Sequence, residues 1–109
     1  MQGIYLRFYA HENRKHHGIL LYEWLLETAK KAGIHGGSVF RAVAGYGRHG
    51  VLHEQHFFEL AGDLTVEVEF LLSDEQAQML LGVLREQKVR IFYAKVAAEF
   101  GMIGNGAGS

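Results

Sequence analysis

The sequence predicts an α+β domain of order β-α-β-β-α-β, with an antiparallel four-stranded sheet and two helices on one face. Three observations carry that expectation. An alternating run opens the chain at Ile4-Tyr5-Leu6-Arg7-Phe8-Tyr9, and a cleaner one spans Leu64-Thr65-Val66-Glu67-Val68-Glu69-Phe70. Two segments with apolar residues at helical spacing lie between extended runs. The length, 109 residues, suits one domain built around a single core.

In the first strand Ile4, Leu6 and Phe8 alternate with Tyr5, Arg7 and Tyr9, and the polar His11-Glu12-Asn13-Arg14-Lys15 ends it. A helix is expected from about Gly18 to Ala32. Leu21, Trp24, Leu25, Thr28 and Ala32 share one face of it, while Glu23, Glu27, Lys30 and Lys31 point away. Gly33 is a natural stop, and the lysines of the last turn complement the helix dipole. The second strand runs from Ser38 to Ala44, and segment 51–61 fits a short helix or a strand equally well. After the turn Ala61-Gly62-Asp63 comes the third strand. Ser73-Asp74-Glu75-Gln76 is a capping-box sequence, opening a helix with the stripe Ala77, Leu80, Leu81 and Leu84. The last strand is expected from Arg90 to about Ala98.

This order points to a ferredoxin-like sandwich. Alternation puts Ile4, Leu6, Phe8, Val66, Val68, Phe70, Phe92 and Val96 toward the helices. Tyr5, Arg7, Arg41, Glu67, Glu69, Tyr93, Lys95 and Glu99 then share the opposite face. Aromatic rings among opposite charges there fit an assembly surface better than a solvated one, because ion pairs fix register between subunits.

Composition narrows the function classes. A net charge of −1 gives no footprint for nucleic acid or an anionic membrane. The absence of cysteine removes disulfide frameworks and thiolate metal sites and fits a reducing compartment. No apolar run approaches the roughly 20 residues of a membrane helix, and no signal-peptide pattern opens the chain, so a cytoplasmic location is expected. Residues 1–100 read as the folded domain and the glycine-rich 101–109 as a flexible tail.

The hexapeptide Gly45-Tyr46-Gly47-Arg48-His49-Gly50 is a literal GxGxxG after a strand-like run. A dinucleotide fold would place it at the first strand, followed by a full crossover helix and further parallel strands. Here it follows an earlier strand–helix unit, and the chain lacks the strands of a mononucleotide-binding half. Its glycines therefore read as the end of a strand at the base of a loop.

Strand, glycine-x-glycine, loop and alternating strand together resemble the nitrogen-regulatory PII proteins, and Arg90-Ile91-Phe92 resembles their last-strand segment with arginine in place of lysine. A closer resemblance is to the PII-like family called domain of unknown function 190. It rests on His17-Gly18, Leu21-Tyr22, Ala29, Gly33, Gly36-Gly37-Ser38-Val39, Arg41, Gly45-Tyr46-Gly47, His53, and Asp63-Leu64 with Val66 and Glu69, and spans residues 4 to 98. The resemblance implies a non-enzymatic regulator, a homotrimer with clefts between subunits. It implies a small effector, an adenine nucleotide (AMP, ADP or ATP), and a mobile loop that signals to a partner. It also implies a membrane transport protein as that partner. Carried onto this sequence, the ligand residues are Gly45, Gly47 and Arg48 of one subunit, facing Lys88 and Arg90 of its neighbour. One departure stands out. Where PII proteins have a glycine-rich loop before the last strand, this chain has Leu84-Arg85-Glu86-Gln87-Lys88-Val89. The uridylylated tyrosine of PII has no counterpart in 48–57.

Seven histidines raise a second reading. On a helical segment His49, His53 and His56 would share a face and could ligate a borderline metal, as in a CutA-like metal-binding trimer. Loop histidines are more often solvated or partner-facing, and His16-His17 are expected to pack at the first helix entrance. No serine sits in a nucleophile setting, and Asp63 with Glu69 need not converge as an acid–base pair, so no catalytic residue is assigned.

Overall fold

The alternating character of the N-terminal run makes β1 (Gln2–His11) the centre of the sheet. In this computed structural model, which describes residues 1–45 and 64–104, Ile4, Leu6, Phe8 and Ala10 are buried and the residues between them are half-exposed. Two strands flank β1, both antiparallel to it: β5 (Thr65–Leu72) from Ile4↔Leu72 to His11↔Thr65, and β6 (Phe92–Glu99) from Gln2↔Glu99 to Tyr9↔Phe92. β4 (Gly37–Arg41) pairs antiparallel with β5, giving the order β4-β5-β1-β6. The expected α+β, ferredoxin-like arrangement is the one observed. Segment 51–61 and most of the tail lie outside the described residues.

Helices α1 (Leu21–Lys31) and α2 (Asp74–Glu86) bury one stripe each, Leu21, Leu25 and Ala29 on the first and Ala77, Leu80, Leu81 and Leu84 on the second. These close over Leu6, Phe8, Val68 and Phe70, with Phe8 and Phe70 edge to face at 6.3 Å between centroids. Leu6 and Phe8 are wholly buried, each contributing on the order of 1.5–3 kcal/mol. The capping box forms as the sequence predicts: the Gln76 N–H donates to Ser73 Oγ at 3.1 Å and the Ser73 N–H to Gln76 Oε1 at 3.0 Å.

Two local departures have physical causes. α1 begins at Leu21, not near Gly18, because a two-stranded hairpin precedes it, β2 (Lys15–His16) and β3 (Ile19–Leu20). Its turn residues His17 and Gly18 have φ of 52° and 84°, the pair of positive values a type I′ turn requires and a helix forbids. The His16 ring then sits 4.4 Å from the ring of Trp24, as expected at the helix entrance.

The faces of β6 are the reverse of the sequence expectation. Register sets Tyr93 beside Phe8 and Lys95 beside Leu6, on the helix side, where Lys95 Nζ reaches Asp74 Oδ1 at 3.0 Å. Phe92 and Val96 pair with Tyr9 and Tyr5 on the open side. A slip of one residue flips every side chain, and on an edge strand with exposed residues of both faces the alternation carries little register information. Arg41, opposite Val66, is likewise on the helix side and not among the open-face charges.

Candidate functional site

Strand directions gather one set of residues at one end of the sheet. There β1 ends near His11, β5 begins at Thr65, β4 ends at Arg41 and β6 begins at Phe92. Gly45 follows β4 by four residues, and Lys88 and Arg90 fill the link between α2 and β6. The sequence-assigned groups thus share an end of the molecule but not an edge. β4 and β6 are the two outer strands, three inter-strand spacings apart, or roughly 14 Å. Gly47, Arg48, His49, His53 and His56 lie outside the described residues.

Lys88 occupies an unusual backbone position. Both helices end in the same hydrogen-bond pattern. After α1, the Gly33 N–H donates to Lys30 O at 3.1 Å and the Ile34 N–H to Ala29 O at 3.0 Å. After α2, the Lys88 N–H donates to Arg85 O and the Val89 N–H to Leu84 O, both at 3.0 Å. These are Schellman motifs, whose pivot residue is left-handed and favours glycine. Gly33 has φ of 87° and Lys88 has φ of 58°. The chain therefore makes with a lysine, at a steric cost of about 1 kcal/mol, the turn that the first helix makes with a glycine. Tied to this turn is the hairpin, through a 3.4 Å contact between His16 Nε2 and Gln87 Oε1.

A cluster that sequence reasoning missed joins the other three strands. Glu12 follows β1, and its Oε1 accepts the Leu64 N–H at 3.0 Å while its Oε2 accepts from Arg41 Nη2 at 2.9 Å. The Glu12 N–H donates to Leu64 O at 2.9 Å, and the Ala42 N–H to Thr65 O at 2.8 Å. Glu12 thus ties Arg41, the last residue of β4, to Leu64, just before β5. The Leu64 N–H, and after it Arg41, keep its carboxyl below the usual carboxylate range. For Glu12 the signal was only an acidic residue just past the first strand, where polar residues are common, while Arg41 and Leu64 stood in the family resemblance with no role attached. Nearby, partial burial lowers the pKa of Arg14.

The open face of the sheet has a polar centre and an apolar border. Arg7 donates to Tyr5 OH at 2.7 Å and to Tyr9 OH at 3.0 Å, and its Nε faces Glu69 at 3.3 Å and Glu67 at 3.5 Å. The tyrosine hydroxyls raise the Arg7 pKa further. Burial, then a hydrogen bond with Glu69, raises that of Glu67. Around this knot Leu71 and Val96 flank Tyr5, while Phe40 and Phe92 end the row through Glu67 and Tyr9. All four border side chains are about half-exposed.

The family model described as uncharacterized ACR, DUF190, matches residues 3–96. The chain belongs to that family. Curated relatives agree. A UPF0166 protein of Aquifex aeolicus is 32% identical over 96 residues, covering 81% of this chain and 91% of that one. A UPF0166 protein of Methanocaldococcus jannaschii is 33% identical over 81 residues, 74% of each. Among solved structures, CPII of Thiomonas intermedia bound to ADP and bicarbonate superposes with a TM-score of 0.59 at 18% identity, over 90% of this chain and 89% of CPII. That likeness is one of fold, and it makes this DUF190 chain PII-like in architecture. Among the described residues no three His, Asp or Glu side chains gather as a metal site, and no helix is long and apolar enough to cross a membrane.

Proposed function

We propose that this DUF190 protein is a non-enzymatic PII-like regulator that binds an adenine nucleotide in clefts between the subunits of a homotrimer. The observation that carries this reading is the separation of Gly45 from Lys88 and Arg90, at one end of the sheet but on opposite edges. Side-by-side packing of two subunits brings the β4 edge of one against the β6 edge of the next, and a cleft between them can use both sets. In that cleft Gly45 and Gly47 allow close approach of the ligand, Arg48 follows them, and Lys88 and Arg90 supply charge from the neighbour. The likeness of fold to a protein bound to ADP supports the choice of ligand class. The half-exposed Leu71, Val96, Phe40 and Phe92 around the Arg7 knot support an assembly face.

Residues 1–100 form the effector-binding domain and 101–109 a tail. Segment 48–57, with His49, His53 and His56, carries the signal to a partner, proposed to be a membrane transport protein met from the cytoplasm. Calorimetry with AMP, ADP and ATP tests the core of this. Saturable binding is expected for at least one of them, abolished in a Lys88→Ala/Arg90→Ala variant that keeps its assembly. No binding at millimolar nucleotide would contradict it.

A further inference from the structure

We infer that Arg41 is an exchangeable phosphate-binding arginine, held by Glu12 in this structure and drawn to the phosphate of the effector when it binds. This deepens the reading above and rests on it for the identity of the ligand. Three observations carry the inference. First, Glu12 is anchored without Arg41. Its carboxylate accepts the Leu64 N–H at 3.0 Å, its own N–H donates to Leu64 O, and its side chain is only 16% exposed. Departure of Arg41 leaves that carboxylate hydrogen-bonded.

Second, the arginine is loosely held. Its side chain is 62% exposed, and among the described residues it reaches Glu12 through one N–H of the five a guanidinium offers. Such exposed pairs contribute little, whereas a phosphate can accept two parallel N–H donors from the same fork. Third, the placement is right. Arg41 is the last residue of β4, the Ala42 N–H is still tied to Thr65 O, and the next residue, Val43, is 95% exposed. The guanidinium therefore stands where the chain leaves the sheet, four residues before Gly45.

A carboxylate that competes for the arginine and one that merely braces the two strand ends predict opposite results. Glu12→Gln keeps an oxygen for the Leu64 N–H but removes the competing charge. Exchange predicts that E12Q binds nucleotide roughly two- to fivefold more tightly than the wild type. Arg41→Gln should bind about tenfold more weakly, with Arg41→Lys between because it lacks the fork. A brace predicts that E12Q binds no better, or worse.

The Arg41 Nε–H resonance of the wild-type protein, followed during titration with ADP and separately with inorganic tripolyphosphate, gives a readout independent of any variant's folding. A shift with ADP, together with tighter binding by E12Q, supports the inference. ADP binding with that resonance unmoved, or with E12Q no tighter, overturns it and leaves the nucleotide reading standing. A shift with tripolyphosphate alone, tightened in E12Q, upholds phosphate exchange at Arg41 and overturns the adenine reading. No response to either overturns both.

Discussion

At Lys88 a side chain holds a backbone position that suits glycine better. The matching turn after α1 uses Gly33, so the fold itself supplies the comparison. Replacing Lys88 with glycine should relieve the left-handed strain and stabilise the protein by about 0.5–1 kcal/mol, after allowing for the added freedom of the unfolded chain. Urea denaturation measures this, and a lower midpoint for K88G would show that the lysine side chain itself supports the fold. If Lys88 serves the ligand, the same variant gains stability and loses nucleotide affinity, the trade expected where strain is retained for function. The lysine was legible as a candidate from its place before the last strand. Its left-handed backbone was not, because only glycine or asparagine in that position marks such a turn in a sequence.

The elements repeat that lesson on a larger scale. Every element whose faces differ sharply in burial was readable: β1 and β5 by alternation, and α2 by its capping box and leucine stripe. β6 was readable as a strand but not in its facing, since Phe92, Tyr93, Lys95 and Val96 are exposed on one side or the other of an edge. The hairpin before α1 was hidden because four paired residues leave no periodic signal, although His17-Gly18 was already singled out for family resemblance. β4 depends on a close approach. A Cβ on Gly37 would lie 2.5 Å from the ring of Phe70, which is almost fully buried, and 3.0 Å from Leu26. Gly37→Ala should therefore destabilise the protein by about 1–3 kcal/mol, an overpacking cost at the junction of β4 with α1. Thermal unfolding checks this, and an unchanged midpoint would mean that β4 shifts outward freely.

For the whole molecule, sheet order decides more than any single residue. It draws Glu12, Arg41, Leu64, Lys88 and Arg90 to one end, with Arg41 at one edge, Lys88 and Arg90 at the other, and Glu12 and Leu64 at the ends of the strands between. It also leaves an open face whose polar centre is knit together within the chain by the hydrogen bonds of Arg7 to Tyr5 and Tyr9 and its ion pairs with Glu67 and Glu69, so that the apolar border is what a second copy could cover. Arg7, Glu67 and Glu69 were expected on that face from the sequence, whereas Arg41, Lys95 and Glu99, expected beside them, register on the helix side. Its border was not fully expected, because Phe92 and Val96 belong to it only through the reversed β6 register. A shared binding cleft requires that subunits associate. Sedimentation equilibrium of the full chain at micromolar concentration tests this most directly: the mass of three chains is expected, and the mass of one would contradict the shared site.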